Sequence, residues 1–320
     1  MFKLTSYESD AQLYREVRGG VITIHVERIQ LKKHLINRRL FFSLKIGRKI
    51  ILKLSKLHPI FYHIRIAQKR LFRFLANLKE KKRFATHKES STTFPNTCKK
   101  HQSLLKRKLG NSDPKLQENK ITNLKIATSE IDGVIIKPGE TFSFWQLVGK
   151  TTEAKGYIEG MQLAMGEVKT GIGGGICQLA NLLYWMALHT PLIVTERHHH
   201  SFDPFPDSGR TLPFGSGASV FYNYVDLRFY NPTAQSFQIK VWVTDKHLKG
   251  AIFVNEEMPY AYHIEERNHQ FLKRGGKNYR QNEIWRKTID KVTGQMIKEE
   301  LLIKNFSEVK YPIPPVPEML

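Results

Sequence analysis

Cysteine is scarce in this chain: Cys98 and Cys177 are the only two in 320 residues. That is too few for a disulfide framework, and the chain is far longer than the small secreted domains such frameworks staple. Long apolar runs are missing as well. The most apolar early pieces, Leu40 to Ile46 and Ile50 to Leu54, are each interrupted by lysine, well short of the roughly 18 residues a membrane span needs. Met1 to Val17 carries Glu8, Asp10 and Glu16 and has no stretch of signal-peptide type. The expectation is therefore a cytoplasmic protein, peripheral at most to the inner face of a membrane. There is no Cys-x-x-Cys, no His-Glu-x-x-His and no Gly-Lys-Ser/Thr loop, so the common zinc and nucleotide signatures are excluded and no cofactor is expected. No internal repeat is present.

Acidic residues are scarce in one region only. Residues 1–120 hold 29 Lys/Arg against 8 Asp/Glu, whereas residues 121–320 hold 22 against 21. A basic first third implies an anionic partner: a phospholipid surface, nucleic acid or another anionic polymer. Residues 28–85 combine Leu, Ile and Phe with Lys and Arg. Leu31–Phe42 and Ile64–Leu78 read as basic amphipathic helices. Such helices lie on anionic membranes, or dock on a partner, or pack on the main domain with a solvated basic face. Nucleic-acid binding rests on charge alone, with no recognisable module, and is not expected.

Thr86 to Thr97 reads as a polar linker, with Cys98 beside it as an incidental thiol. Asp113-Pro114 forms a helix start, and Leu116, Ile121, Leu124, Ala127 and Ile131 recur at helical spacing before Asp132-Gly133 ends the element. Val134–Ile136 reads as a short strand and Pro138-Gly139 as a turn. Strands are expected at Leu192–Arg197, Asp226–Tyr230, Ser236–Val243 and Ala261–Glu265. A hairpin turns at Thr293-Gly294, between Glu283–Val292 and Gln295–Lys304. The fold class is α+β, with helices early and antiparallel strands late. Three regions are expected: 1–112 basic and mostly helical with a linker, 113–256 the core domain, and 257–320 a β-rich extension with a Pro-rich tail.

The densest chemical signal is Gly171-Ile172-Gly173-Gly174-Gly175-Ile176-Cys177-Gln178, followed by an apolar helix that ends before Pro191. Cys177 is thereby expected at a helix start behind an open loop, where free N–H groups and the dipole favour a thiolate. The bland alternative is a Gly-rich turn with a buried, inert cysteine. Glu196-Arg197-His198-His199-His200-Ser201 supplies candidate bases, with His198 and His200 on one face of a strand. His189 reads as a helix C-terminal residue favoured by the dipole.

Pro138-Gly139-Glu140-Thr141-Phe142-Ser143-Phe144, Gly156-Tyr157, Gly173-Gly174-Gly175-Ile176-Cys177-Gln178, Glu196-Arg197 with His200-Ser201, and Asp226-Leu227-Arg228-Phe229 with Asn231 together resemble the VanW family. The resemblance covers about residues 115–255. It implies a bacterial protein of cell-envelope or glycopeptide-resistance physiology. One departure is visible: an acidic residue usual in the family is here Gly217, within Gly215-Ser216-Gly217-Ala218-Ser219-Val220.

The order Cys, His, acid is similar in layout to transglutaminase-like and cell-wall amidase folds. On that analogy Cys177 is the nucleophile, His200 the base, and Asp226 or Asp203 the orienting acid. Gly173, Gly174, Gly175 and Gln178 would offer oxyanion donors, and Arg197 and His198 would bind substrate. Three other readings stay open. Cys177, His198 and His200 could ligate zinc. The Gly loop could cradle a phosphate. The loop with Phe142, Phe144, Trp145, Tyr184 and Trp185 could also form a groove that binds a cell-wall peptide or precursor without catalysis, although aromatics at helical spacing are mostly core. Oligomeric state is left open.

Overall fold

The computed structural model describes residues 13–18, 21–26, 59–80, 82–106, 113–164, 167–199, 202–203, 206–207 and 211–315. The expected helix at Leu31–Phe42 lies outside the described residues. The chain divides into two units, Met1–Phe72 and Arg73–Leu320. In the first, β1 (Leu13–Arg18) and β2 (Val21–Val26) form an antiparallel hairpin. Helix α1 (Pro59–Lys79) contains the expected Ile64–Leu78 segment and runs on into the second unit.

The second unit is built around a nearly all-apolar helix. Asp113 caps α2 (Pro114–Ile131) by accepting from the Lys115 amide at 2.8 Å, with Pro114 in the first turn as its sequence demands. Strand β3 (Asn96–Leu104), β4 (Ile135–Ile136), β11 (Phe237–Val243) and β12 (His247–Val254) make one sheet in the order β3-β12-β11-β4. Strand β5 (Thr141–Ser143), β8 (Ile193–Glu196) and β10 (Arg228–Tyr230) make a second, with β10 central. Short helix α3 (Phe144–Val148) follows β5 directly, capped by the Ser143 hydroxyl.

Helix α4 (Cys177–Leu188) buries residues on every side, from Leu179 to Leu188, because it lies inside the core rather than on it. On β12, Gly250 lets the helix approach, since a Cβ there would press on Leu182 and Met186. Phe142 and Phe229 stack at 5.0 Å across the β5–β10 pair. Phe142, Phe144, Trp145, Tyr184 and Trp185 are all buried in this core.

The C-terminal part folds as β13 (Tyr260–Arg274), β14 (Lys277–Asp290) and β15 (Met296–Val309), with β9 (Phe202–Asp203) parallel to the end of β15. The architecture is α+β with mainly antiparallel sheets. No described helix is long and apolar enough to cross a membrane.

One expectation needs correcting here. The stretch read as a linker is structural: Phe84 bridges to Thr141, Lys88 bridges to Val134, and Asn96 and Thr97 open β3, the edge strand of the core sheet. Its polar composition hid it, because β3 exposes alternate residues. In α1, Arg73 donates to Glu196 and Asn77 accepts from Arg228, while Lys69 and Lys79 are exposed.

Candidate functional site

The Gly-rich segment follows an antiparallel hairpin, β6 (Glu159–Ala164) and β7 (Glu167–Ile172), and turns directly into α4. Gly173 and Gly175 sit at φ of 78° and 92°, which only glycine adopts without strain. Gly174 serves a different purpose. Its Cα lies against the backbone of Gly160, and any Cβ would overlap that peptide group. Asn123 of α2 fastens the turn by donating to Gly174 O and Ile158 O, each at 2.9 Å, and accepting from the Ile158 amide at 2.9 Å. The loop expected to be sterically open is therefore a backbone-on-backbone packing joint, and its glycines are used by the fold.

Cys177 begins α4 as the spacing implies. It packs against the core, and its Sγ donates to Val220 O at 3.8 Å. Burial pushes the Cys177 thiol up from its ordinary value. The expectation of a thiolate is thus reversed: loss of water around sulfur outweighs the favourable helix end. Gln178 is no oxyanion donor either, since its amide donates to Ser103 Oγ at 2.9 Å and Leu104 O at 2.7 Å, tying α4 to β3.

His200, the expected base, lies outside the described residues. His198 pairs with Glu196 Oε1 at 3.1 Å. Among the described residues no histidine hydrogen-bonds Cys177. Arg197 reaches the other way, donating from Nε to Gly217 O at 2.8 Å and from Nη2 to Gly215 O, with its guanidinium over the Tyr184 ring. At Gly217, where an acid was expected by resemblance, the Asn181 side chain occupies the space and accepts from the Ala218 amide at 2.6 Å.

Asp226 is committed elsewhere. It accepts from Ser143 Oγ at 2.6 Å, the Trp145 amide at 3.1 Å, the Leu227 amide at 2.9 Å and Arg228 Nε at 2.7 Å. Burial raises the carboxyl's pKa, and these donors pull the other way. Asp203, the alternative acid, accepts from Arg280 Nη1 at 3.3 Å and the Tyr311 hydroxyl at 2.9 Å, beside β15. Among the described residues no group of three or more His, Cys, Asp and Glu is gathered as a metal would require.

Two features escaped the sequence reading. The first is a buried ion-pair network around Arg228, which is 2% exposed. Besides Asp226 it has Glu196 at 3.5 Å and Asn77 Oδ1 at 3.0 Å, while Glu196 takes a two-pronged contact from Arg73 at 2.7 and 2.5 Å. The alternation Asp226-Leu227-Arg228 was the available signal, because residues two apart in extended chain share a face. Burial opposes ionisation of Glu196, but His198, Arg73 and the Asp226 amide outweigh it and hold the carboxyl below the ordinary 4.5. That contribution to stability is full above 4.5 and is lost as pH falls through the lower folded value. Glu196→Gln should accordingly flatten the acid limb of the stability profile, measured as denaturant midpoints on either side of pH 4.5.

The second feature is a cleft of about 450 Å³ whose wall includes Cys98, Lys99, His189, Glu257, Tyr262 and Lys291. A bulge in the β3–β12 pairing falls at Cys98, so the consecutive residues Cys98 and Lys99 both reach the cleft. Burial pushes Cys98 up to about 11 and His189 down to about 4, so His189 is a neutral ring rather than a dipole-stabilised cation. Lys99 is half-buried and has no carboxylate partner among the described residues, and burial lowers its pKa. The thiol that the sequence reading took as incidental lines a cavity, which only the bulge reveals.

Comparisons with known proteins agree on the region concerned. A family model described as VanW like protein matches residues 119–253. The chain is 36% identical over 198 residues to the Vancomycin B-type resistance protein VanW of Enterococcus faecalis (strain ATCC 700802 / V583), covering 62% of this chain and 72% of that protein. It is 33% identical over 121 residues to the Uncharacterized protein YoaR of Bacillus subtilis (strain 168), covering 37% of each. No solved structure matches.

Proposed function

Because this chain belongs to the VanW family, we propose that it serves as a non-catalytic accessory protein in resistance to vancomycin, holding a cell-wall precursor peptide rather than cleaving it. The observation that carries this reading is the state of Cys177. Its thiol is desolvated and given to a backbone carbonyl, and the acid that would orient a base, Asp226, already serves four donors. An amidase of thiol type needs a thiolate and an oriented imidazole beside it.

For a ligand, the cleft at the edge strand β3 offers better chemistry. Lys291 on its wall is already paired with Glu257 at 3.2 Å, whereas Lys99, beside Tyr262, suits a short peptide ending in a carboxylate. Among the described residues the cation at Lys99 has no acid paired with it, so a ligand carboxylate would fill that role.

The test is complementation in a vancomycin-challenged enterococcal host deleted for its own family member. Cys177→Ser should restore resistance as well as the unaltered chain, and Lys99→Glu should not. Loss of function in Cys177→Ser with the fold intact would restore the enzyme reading. In the same chain, iodoacetamide at neutral pH should modify Cys177 and Cys98 slowly, because burial pushes both thiols up.

A further inference from the structure

Two sheet edges border the cleft beside β3. Its wall takes in the chain entering β3, residues 95–99, and the start of β13, residues 260–262, each without a gap. Successive side chains of a strand point to opposite faces. A strand that lines a cavity with every residue in turn is therefore showing its edge, where main-chain N–H and C=O groups stand. Both strands lie at the ends of their sheets, and among the described residues no strand pairs with either on its open side.

The register says which main-chain groups are turned to the open side. The Lys291 amide donates to Pro259 O at 3.0 Å, and the pairing runs on through Ala261 opposite Ile289. Bonds to β14 thus fall on residues 259, 261 and 263, and Tyr260 and Tyr262 direct N–H and C=O away from β14. The β13–β14 register is unbroken from Tyr260 to Arg267, whereas β3 is bulged at Cys98, so β13 is the edge fit to hold a ladder. Lys99, on the same wall, is half-buried with no acid paired to it among the described residues, while Glu257 is taken by Lys291 at 3.2 Å. We infer that the cleft takes a short extended peptide with a free C-terminus, which pairs as an added strand on Tyr260 and Tyr262 and sets its carboxylate against the Lys99 ammonium. Resting on the cleft as the ligand site named above, this mode reads the peptide through its main chain and its end.

Calorimetric titration of the full chain with acetylated penta-alanine tests this. Amidation of the peptide's C-terminus should weaken binding about tenfold in the unaltered chain and leave it unchanged in Lys99→Met. Methylation of single peptide nitrogens should alternate in effect, with about tenfold loss at every second position, where the N–H meets β13, and under about threefold between. No binding at millimolar peptide would overturn the inference. So would equal losses at neighbouring nitrogens, or an amidation effect that persists in Lys99→Met. Complementation is a separate outcome: alternation alongside a functional Lys99→Glu chain would uphold the added strand and remove the accessory role. Failed complementation by Lys99→Glu without alternation would do the reverse.

Discussion

Gly174→Ala is expected to cost about 3 kcal/mol or more and to leave the Arg73–Leu320 unit largely unfolded or insoluble. The reason is steric, since the added methyl must displace the Gly160 peptide, and a backbone cannot rotate away as a side chain does. Gly160 in turn is fixed by the β6–β7 register, in which it pairs with Gly171. Gly139→Ala is the matched control. That glycine has a φ of 74° but nothing within 4 Å of a would-be Cβ, so the substitution should cost only about 1 kcal/mol of conformational strain. Denaturant midpoints of the two variants separate contact from conformation. Equal losses would mean that the Gly160–Gly174 approach is not what the loop is for.

Asp226→Ala should destabilise the same unit by about 3–5 kcal/mol, as removal of one partner from a buried ion pair does. The substitution leaves the Arg228 guanidinium to Glu196 at 3.5 Å and the neutral Asn77 amide at 3.0 Å, and removes the acceptor of Ser143, Trp145 and Leu227. The second substitution Arg228→Met should then recover part of the loss, because it removes the uncompensated charge and fills the volume with apolar surface. Were Asp226 an acid of a working active site, Asp226→Ala would abolish activity while leaving the midpoint nearly unchanged. Urea unfolding of the single and double variants, read by tryptophan fluorescence, distinguishes the two roles.

Much of the second unit was legible because its signals are local. Asp113-Pro114 caps and starts α2 within one turn, and Asp132-Gly133 stops it with Gly133 at a φ of 81°. The apolar run from Leu179 to Leu188 has no polar stripe, and a helix of that composition has to lie inside a core. The long hairpin of β14 and β15 declared itself through the Asp290–Gln295 turn, with Gly294 at a φ of 69°. Strand β3 was not legible. It is polar, it sits at a sheet edge, and its one informative irregularity, the bulge at Cys98, exists only in the pairing with β12.

By itself the sequence determined the α+β class, the family, the helix starting at Cys177 and the concentration of cations in the first third. Each of these depends on neighbours a few residues apart or on composition. Tertiary structure alone decided that burial raises the Cys177 thiol, that Gly174 spaces two backbones and that Asp226 belongs to Arg228. Those outcomes depend on which distant segments exclude water from an atom or offer it a partner. Desolvation and ion pairing act through space, so no spacing along the chain encodes them.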